Sequence, residues 1–185
     1  MKKVIAVALL AIMVFSIMLF TGCGSGSASG VKTGLGHVIS ISESKDASSE
    51  EDGAAQVDTV MAAVSVDSNG KIVSVTIDSA QTVIPFDATG KIKKDLGAEQ
   101  ETKVERGADY GMIKASKIGR EWYEQIAELE KWMVGKTIDQ VKAMKVKKVD
   151  ESHTSVPDEP DLTSKVTISV ADYIAAVEEA VKNAK

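Results

Sequence analysis

The sequence has a single cysteine, Cys23, and that alone removes several chemistries. No disulfide framework and no thiolate metal cluster can form within one chain. The two histidines, His37 and His153, lie far apart, one beside glycines and one in a polar stretch. Neither has a zinc-binding spacing. No Gly-x-Ser-x-Gly nucleophile elbow and no Walker loop occurs. The acidic pairs Glu50-Glu51 and Asp158-Glu159 read as solvated loop charge, so no catalytic residue is assigned. Basic residues are also short: 22 against 27 acidic ones, a net charge of −5. Without Lys2 and Lys3 the balance is 20 against 27, or −7. A domain of that sign suits neither nucleic acid nor anionic lipid.

What is present begins at the N-terminus. Lys2 and Lys3 precede an apolar run from Val4 to Phe20 without charge, proline or glycine. A basic n-region before such a run is the build of a secretory signal. The run ends at Leu19-Phe20-Thr21-Gly22-Cys23. Small residues directly before a cysteine resemble the lipobox of bacterial lipoproteins, in which the cysteine thiol accepts the lipid. The expected boundaries are a signal peptide at 1–22, a lipidated Cys23 with a Gly/Ser tether at 23–32, and one domain at 33–185. The tether composition is that of a flexible chain. The competing reading is an uncleaved anchor, for which about 18 apolar residues is the lower end.

Farther along, Thr33 to Ser42 alternates as a strand, and the acidic, Ser-rich Glu43 to Ala55 reads as a loop. Val60, Ala62, Val64 and Val66 alternate with Met61, Ala63 and Ser65, and Val73, Val75 and Ile77 alternate with Ser74, Thr76 and Asp78. Asn69-Gly70 between these runs signals a hairpin with a type I′ turn. Gln81 to Phe86 reads as a further short strand, limited by Pro85. Ala88 to Lys91 reads as a second turn. Ile118, Trp122, Ile126, Leu129 and Met133 form a helical stripe within Gly111 to Val134. Gly135 ends it. Thr137 to Gln140 reads as a capping box for a short helix. Lys145 to Pro160 reads as a loop. Val170, Tyr173, Ile174, Val177 and Val181 mark a last helix, with Ser169 and Asp172 as its capping pair. The fold class is therefore α+β: an antiparallel sheet with a clear hairpin, packed against two main helices.

Hydroxyls crowd the start of that last helix: Thr163, Ser164, Thr167 and Ser169. Such a place suits phosphate, although the same hydroxyls also serve as caps. Asp161-x-x-Ser164-x-x-Thr167 before an Ala/Val-rich helix resembles the FMN-binding domain family of bacterial extracytoplasmic redox proteins. Lys103 to Ser116, Glu121 to Gln125 and Gly135 to Thr137 extend the likeness to Firmicutes lipoproteins that include sex-pheromone precursors. The resemblance implies an FMN-binding-like domain at 33–185, with Asp161, Ser164 and Thr167 as cofactor residues. Thr167 would be the hydroxyl esterified to FMN by a flavin transferase. The family's Gly-Ala is Lys165-Val166 here, and glycine is what permits close backbone approach to a phosphate. Tyr110, beside Gly111, is the candidate ring for stacking on the flavin. Trp122 and Trp132 read as core.

The resulting expectation is a lipoprotein on the outer face of the cytoplasmic membrane, held by lipid on Cys23. It would carry FMN and relay electrons between redox partners. A flavin-free ligand-binding or interaction module with the same fold is the alternative. A third reading makes Phe15 to Gly22 a pheromone octapeptide and the domain a by-product.

Overall fold

Alternation of buried and exposed residues builds one long ribbon. A computed structural model describes residues 30–185. The signal run, the octapeptide and Cys23 lie outside the described residues. Strands β1 (Lys32–Ser40), β2 (Gly53–Val66) and β3 (Ile72–Phe86) form an antiparallel sheet in the order β1-β2-β3. Val60, Ala62 and Val64 of β2 and Val75 and Ile77 of β3 face the core. The opposite face stays open, with Leu35 65 % and Ile39 60 % exposed.

Two corrections concern the ribbon's length. Gly53 to Ala55 is part of β2, not of the preceding loop. Gln81 to Phe86 continues β3 without a break, in register from Thr82↔Val57 to Phe86↔Gly53. Pro85 is tolerated because β3 is an edge strand, where no donor is needed on its free side.

The hairpin turn also differs from expectation. No non-glycine residue among those described has positive φ, so Asn69 cannot serve a type I′ turn. Gly70 alone is left-handed, at φ +73°. The Gly70 N–H donates to Asp67 O at 3.0 Å, and the Asp67 N–H donates to Lys71 O at 2.9 Å. This is the three-residue loop with glycine in the last position. Asp67 selects it, because its Oδ1 accepts the N–H groups of Asn69 and Lys71 at 2.8 and 2.9 Å. Those bonds, Lys71 first, hold its carboxyl below the usual range. Asp87 and Gly90 repeat the device at the far end of β3.

Helices α1 (Lys103–Arg106), α2 (Trp122–Met133), α3 (Ile138–Lys142) and α4 (Ala171–Asn183) follow. The Thr137–Gln140 capping box opens α3 as the sequence predicts. The helix expected from Gly111 starts only at Trp122, and Gly107–Tyr110 and Met112–Lys114 are 3₁₀ turns instead. Gly119, at φ +64°, separates the second of these turns from α2. Lys145 to Pro160 is not wholly loop, since β4 (Val146–Lys147) pairs with β5 (Val156–Pro157).

One face of the sheet is covered by α2 and α4. Helix α4 approaches β1 with only backbone between them. A Cβ on Gly36 would lie 2.1 Å from Ala176 O, and one on Gly34 would lie 2.0 Å from Ala180 O. Ala176 and Ala180 are the matching small residues on α4. Polar groups of the chain end then occupy β1's free edge. The His37 N–H donates to Glu179 Oε2 at 2.5 Å, and Asn183 Nδ2 donates to Leu35 O at 3.0 Å. Thr33 and Lys185 exchange both backbone bonds, at 3.3 and 3.1 Å. The other edge is stopped by Glu130 on Ile77 and by Lys136 O on Ile72.

Candidate functional site

Three irregular segments meet at one end of the helical layer: the 3₁₀ turns at 107–114, the β4–β5 ribbon, and the 158–170 run. They are tied together by buried polar groups. Glu121, 4 % exposed, accepts the N–H groups of Met112 and Ile113 at 2.8 and 3.0 Å. Gln125 is fully buried. Its Oε1 accepts the Thr167 N–H at 2.8 Å and the Thr167 hydroxyl at 3.3 Å. Its Nε2 donates to Ser116 Oγ and Arg120 O. All its hydrogen-bonding capacity is used within the protein, as burial demands.

Two clefts open where these segments meet, sharing Met112, His153 and Ile168 as their common wall. The larger, about 470 Å³, has Lys103, Tyr110, Trp122 and Tyr173 on one side. Ser152, Thr154, Ser155 and Ser169 line it with hydroxyls, and Asp172 is the single carboxylate. Lys103 Nζ lies 5.1 Å from the Tyr110 ring centre and 5.6 Å from that of Trp122. Arg106 stands 5.2 Å from the Tyr110 ring centre. Among the described residues neither cation has a carboxylate within 4.0 Å. Trp122 Nε1 donates to Tyr173 Oη at 3.0 Å, with the rings edge to face at 5.9 Å. Burial pushes the Tyr173 phenol up to about 12, so it is a neutral donor at physiological pH.

Helix α4 begins at this cleft without a side-chain cap. The expected Ser169–Asp172 capping pair is therefore corrected: Val170 is the N-cap. Its own N–H donates to Ser155 O at 3.0 Å, and Ser169 Oγ turns toward Ser152 O and the Ser155 N–H, both at 3.5 Å. The anchoring of 168–170 to the ribbon draws the serine away from the helix.

The residues singled out by sequence do not gather in one place. Tyr110 lines the larger cleft, and Thr167 lines the smaller one. Asp161 lies at a third, separate depression beside Trp132 and Lys136. Ser164 is exposed and lines none of the three. Val166 is fully buried, four residues after Leu162 on the core side of the same turn. Lys165 extends to Glu128 Oε2 at 3.0 Å, and Arg120 stands 3.7 Å from the other oxygen. The Lys165 contact leads in holding the Glu128 carboxyl below its usual range. Cys23 lies outside the described residues.

His37 contacts Glu179 far from the clefts, and His153 Nδ1 pairs with Asp150 at 2.8 Å on their shared wall. Among the described residues no group of three His, Cys, Asp or Glu side chains gathers as a metal site. Sequence reasoning overlooked Gln125, Lys103 and Tyr173. For Gln125 a signal existed: it lies three residues after Trp122, inside the apolar stripe. The chain matches no protein-family model, no curated protein and no solved structure.

Proposed function

We propose that this protein is a lipoprotein anchored through Cys23 to the outer face of the cytoplasmic membrane, binding FMN non-covalently in the larger cleft and relaying electrons between extracytoplasmic redox partners. The observation that carries this reading is Lys103, which lines the larger cleft beside the half-buried Tyr110 and has no carboxylate within 4.0 Å among the described residues, in an otherwise acidic protein. Such an arrangement favours an anionic ligand with a flat ring, since cations serve phosphate and aromatic faces serve stacking. The hydroxyls around Ser155 and the uncapped start of α4 supply further donors for phosphate. Bound FMN would supply the redox chemistry. The chain's own residues would hold and orient it, with Tyr173 kept neutral as a donor.

Non-covalent binding is preferred to a Thr167 ester. The Thr167 hydroxyl donates its proton to Gln125, a neutral amide that cannot act as a base. A flavin-free binding module is the second reading, favoured by Gln125, which already takes both the N–H and the hydroxyl of Thr167, and by Glu128, which already pairs with Lys165.

Residues 30–185, exported in a host with a flavin transferase, test both. A yellow protein of unmodified mass whose colour is lost in Tyr110→Ala and Lys103→Ala supports the proposal. A mass gain of one FMN less water, lost in Thr167→Ala, would replace it with a covalent carrier. A colourless protein that ignores added FMN sinks the redox role. Anchoring is read separately: a labelled fatty acid fed to the host should be incorporated into the full-length protein and not into its Cys23→Ala variant.

A further inference from the structure

The smaller cleft has a chemistry of its own. Its volume is about 240 Å³, close to that of about eight waters in the liquid. Met112, Ala115, Val149, Val156, Pro157 and Ile168 give it a largely apolar lining. Most of these belong to segments pinned by other bonds. Met112 is fixed through its N–H to Glu121, Val156 and Pro157 by the ribbon, and Ile168 between Gln125-bound Thr167 and the ribbon-tied Ser169. The walls therefore cannot close on one another cheaply, and an apolar hollow held open this way favours an apolar guest.

The polar groups sit together and are not equivalent. Lys147 is engaged by Asp158 at 2.7 Å. Asp150 accepts from the N–H groups of Ser152 and His153 and pairs with the His153 ring, chiefly by which its carboxyl is held below the usual range. Of the cations that line this cleft, Lys117 is the one with no carboxylate within 4.0 Å among the described residues. Beside it, Ser116 Oγ accepts from the Arg120 N–H and Gln125 Nε2, both at 3.3 Å, which leaves its own proton free to donate. Thr163 adds a second hydroxyl. One unpaired cation and two hydroxyl donors at the rim of an apolar hollow match a carboxylate with an apolar body.

We propose that the smaller cleft is a binding site for small carboxylic acids with an aromatic or branched aliphatic body, the carboxylate on Lys117 and Ser116 and the body against Val149, Val156 and Ile168. It is separate from the flavin reading and stands or falls without it. The guest is limited to about the size of one ring and a short chain by the cleft volume, which lies below the usual range for drug-sized ligands.

The test is a titration of residues 30–185 with 3-phenylpropanoate and with its uncharged amide, followed by methyl NMR shifts. The acid should give saturable shifts at Met112, Val149, Val156 and Ile168 and bind about tenfold tighter than the amide, the worth of one charge-assisted contact. Lys117→Ala should erase that preference and leave the amide's affinity unchanged. Ala115→Trp, at an exposed lining position, should block both, and Thr163→Trp serves the same purpose should the first variant fail to fold. Absence of saturable shifts overturns the site. Equal binding of acid and amide, unaltered by Lys117→Ala, overturns acid recognition. Shifts centred on Val60 and Ala171, which line only the larger cleft, overturn the location.

Discussion

The Gln125 amide oxygen accepts both the backbone N–H and the hydroxyl of Thr167, 42 positions away in sequence. A single buried side chain thus fixes the 166–168 run against α2, and with it the wall between the two clefts. Gln125→Leu keeps the volume but orphans the Thr167 N–H and its partners near Ser116. The expected loss is about 3 kcal/mol of stability in urea unfolding, the sum of two unmet buried polar groups. A loss below about 1 kcal/mol, the net worth of one ordinary hydrogen bond, would show that the segment finds other partners.

Gly36 meets α4 backbone to backbone. Gly36→Ala should destabilise the fold by about 3 kcal/mol, at the upper end for overpacking, because the obstacle is Ala176 O and not a flexible side-chain tip. Gly70→Ala is a control of another kind, since nothing lies within 4 Å and only the positive φ is strained. Its cost should be about 1 kcal/mol. Thermal midpoints of the two variants decide the order.

Glu130 Oε1 accepts the Ile77 N–H at 2.6 Å, yet burial, aided by Asp78, raises its carboxyl above the ordinary range. A raised carboxyl means that the fold disfavours the ionised form. Native stability is therefore lost as pH climbs from the unfolded carboxylate value through the folded one. Glu130→Gln retains an acceptor for Ile77 without the charge. Its stability relative to the native chain should rise over that window and stay higher at neutral pH. Denaturant midpoints at pH 4 and pH 7 read this, and a Gln variant less stable at both would refute it.

Tyr173 titrates at about 12 in the fold because of burial, above the ordinary phenol value of 10.0. Between those values the unfolded chain has released the proton and the folded one still holds it. Stability is thus full below pH 10 and lost as pH rises toward 12, by on the order of 2–3 kcal/mol. Tyr173→Phe should flatten that part of the alkaline stability profile, while lowering neutral stability by about 1 kcal/mol through the lost Trp122 bond.

Much of the fold is legible in residue order. The period-2 runs around Val64 and Val75 fix the hairpin, and the Trp122-to-Met133 stripe fixes α2 as buried. What escaped is physical in origin. Asn69-Gly70 suggests a turn with two left-handed residues, but Asp67 bonds two later N–H groups and selects a turn with one. Apolar periodicity runs through Ile118, yet Gly119 and the Glu121 carboxylate hold 112–120 out of the helix. Ser169 looks like a cap until the ribbon claims it. The site was harder still. Asp161, Ser164 and Thr167 share a spacing but not a cleft, because the turn between them buries Val166 and points its polar residues in different directions. Lys103 meets Tyr110 seven residues on, but across the change from α-helix to 3₁₀ turn at Gly107, where regular helical spacing no longer places side chains.

The contact of β1 with α4 also dictates an order of events. His37 and Glu179 stand 142 residues apart, and Thr33 bonds to Lys185 itself. The first strand therefore has no finished partner surface on its outer side until α4 and the residues just after it have been made. Contacts of such long sequence separation form late and slow the search. A nascent chain emerging from the ribosome therefore carries β1 as an unsealed edge until α4 has followed it.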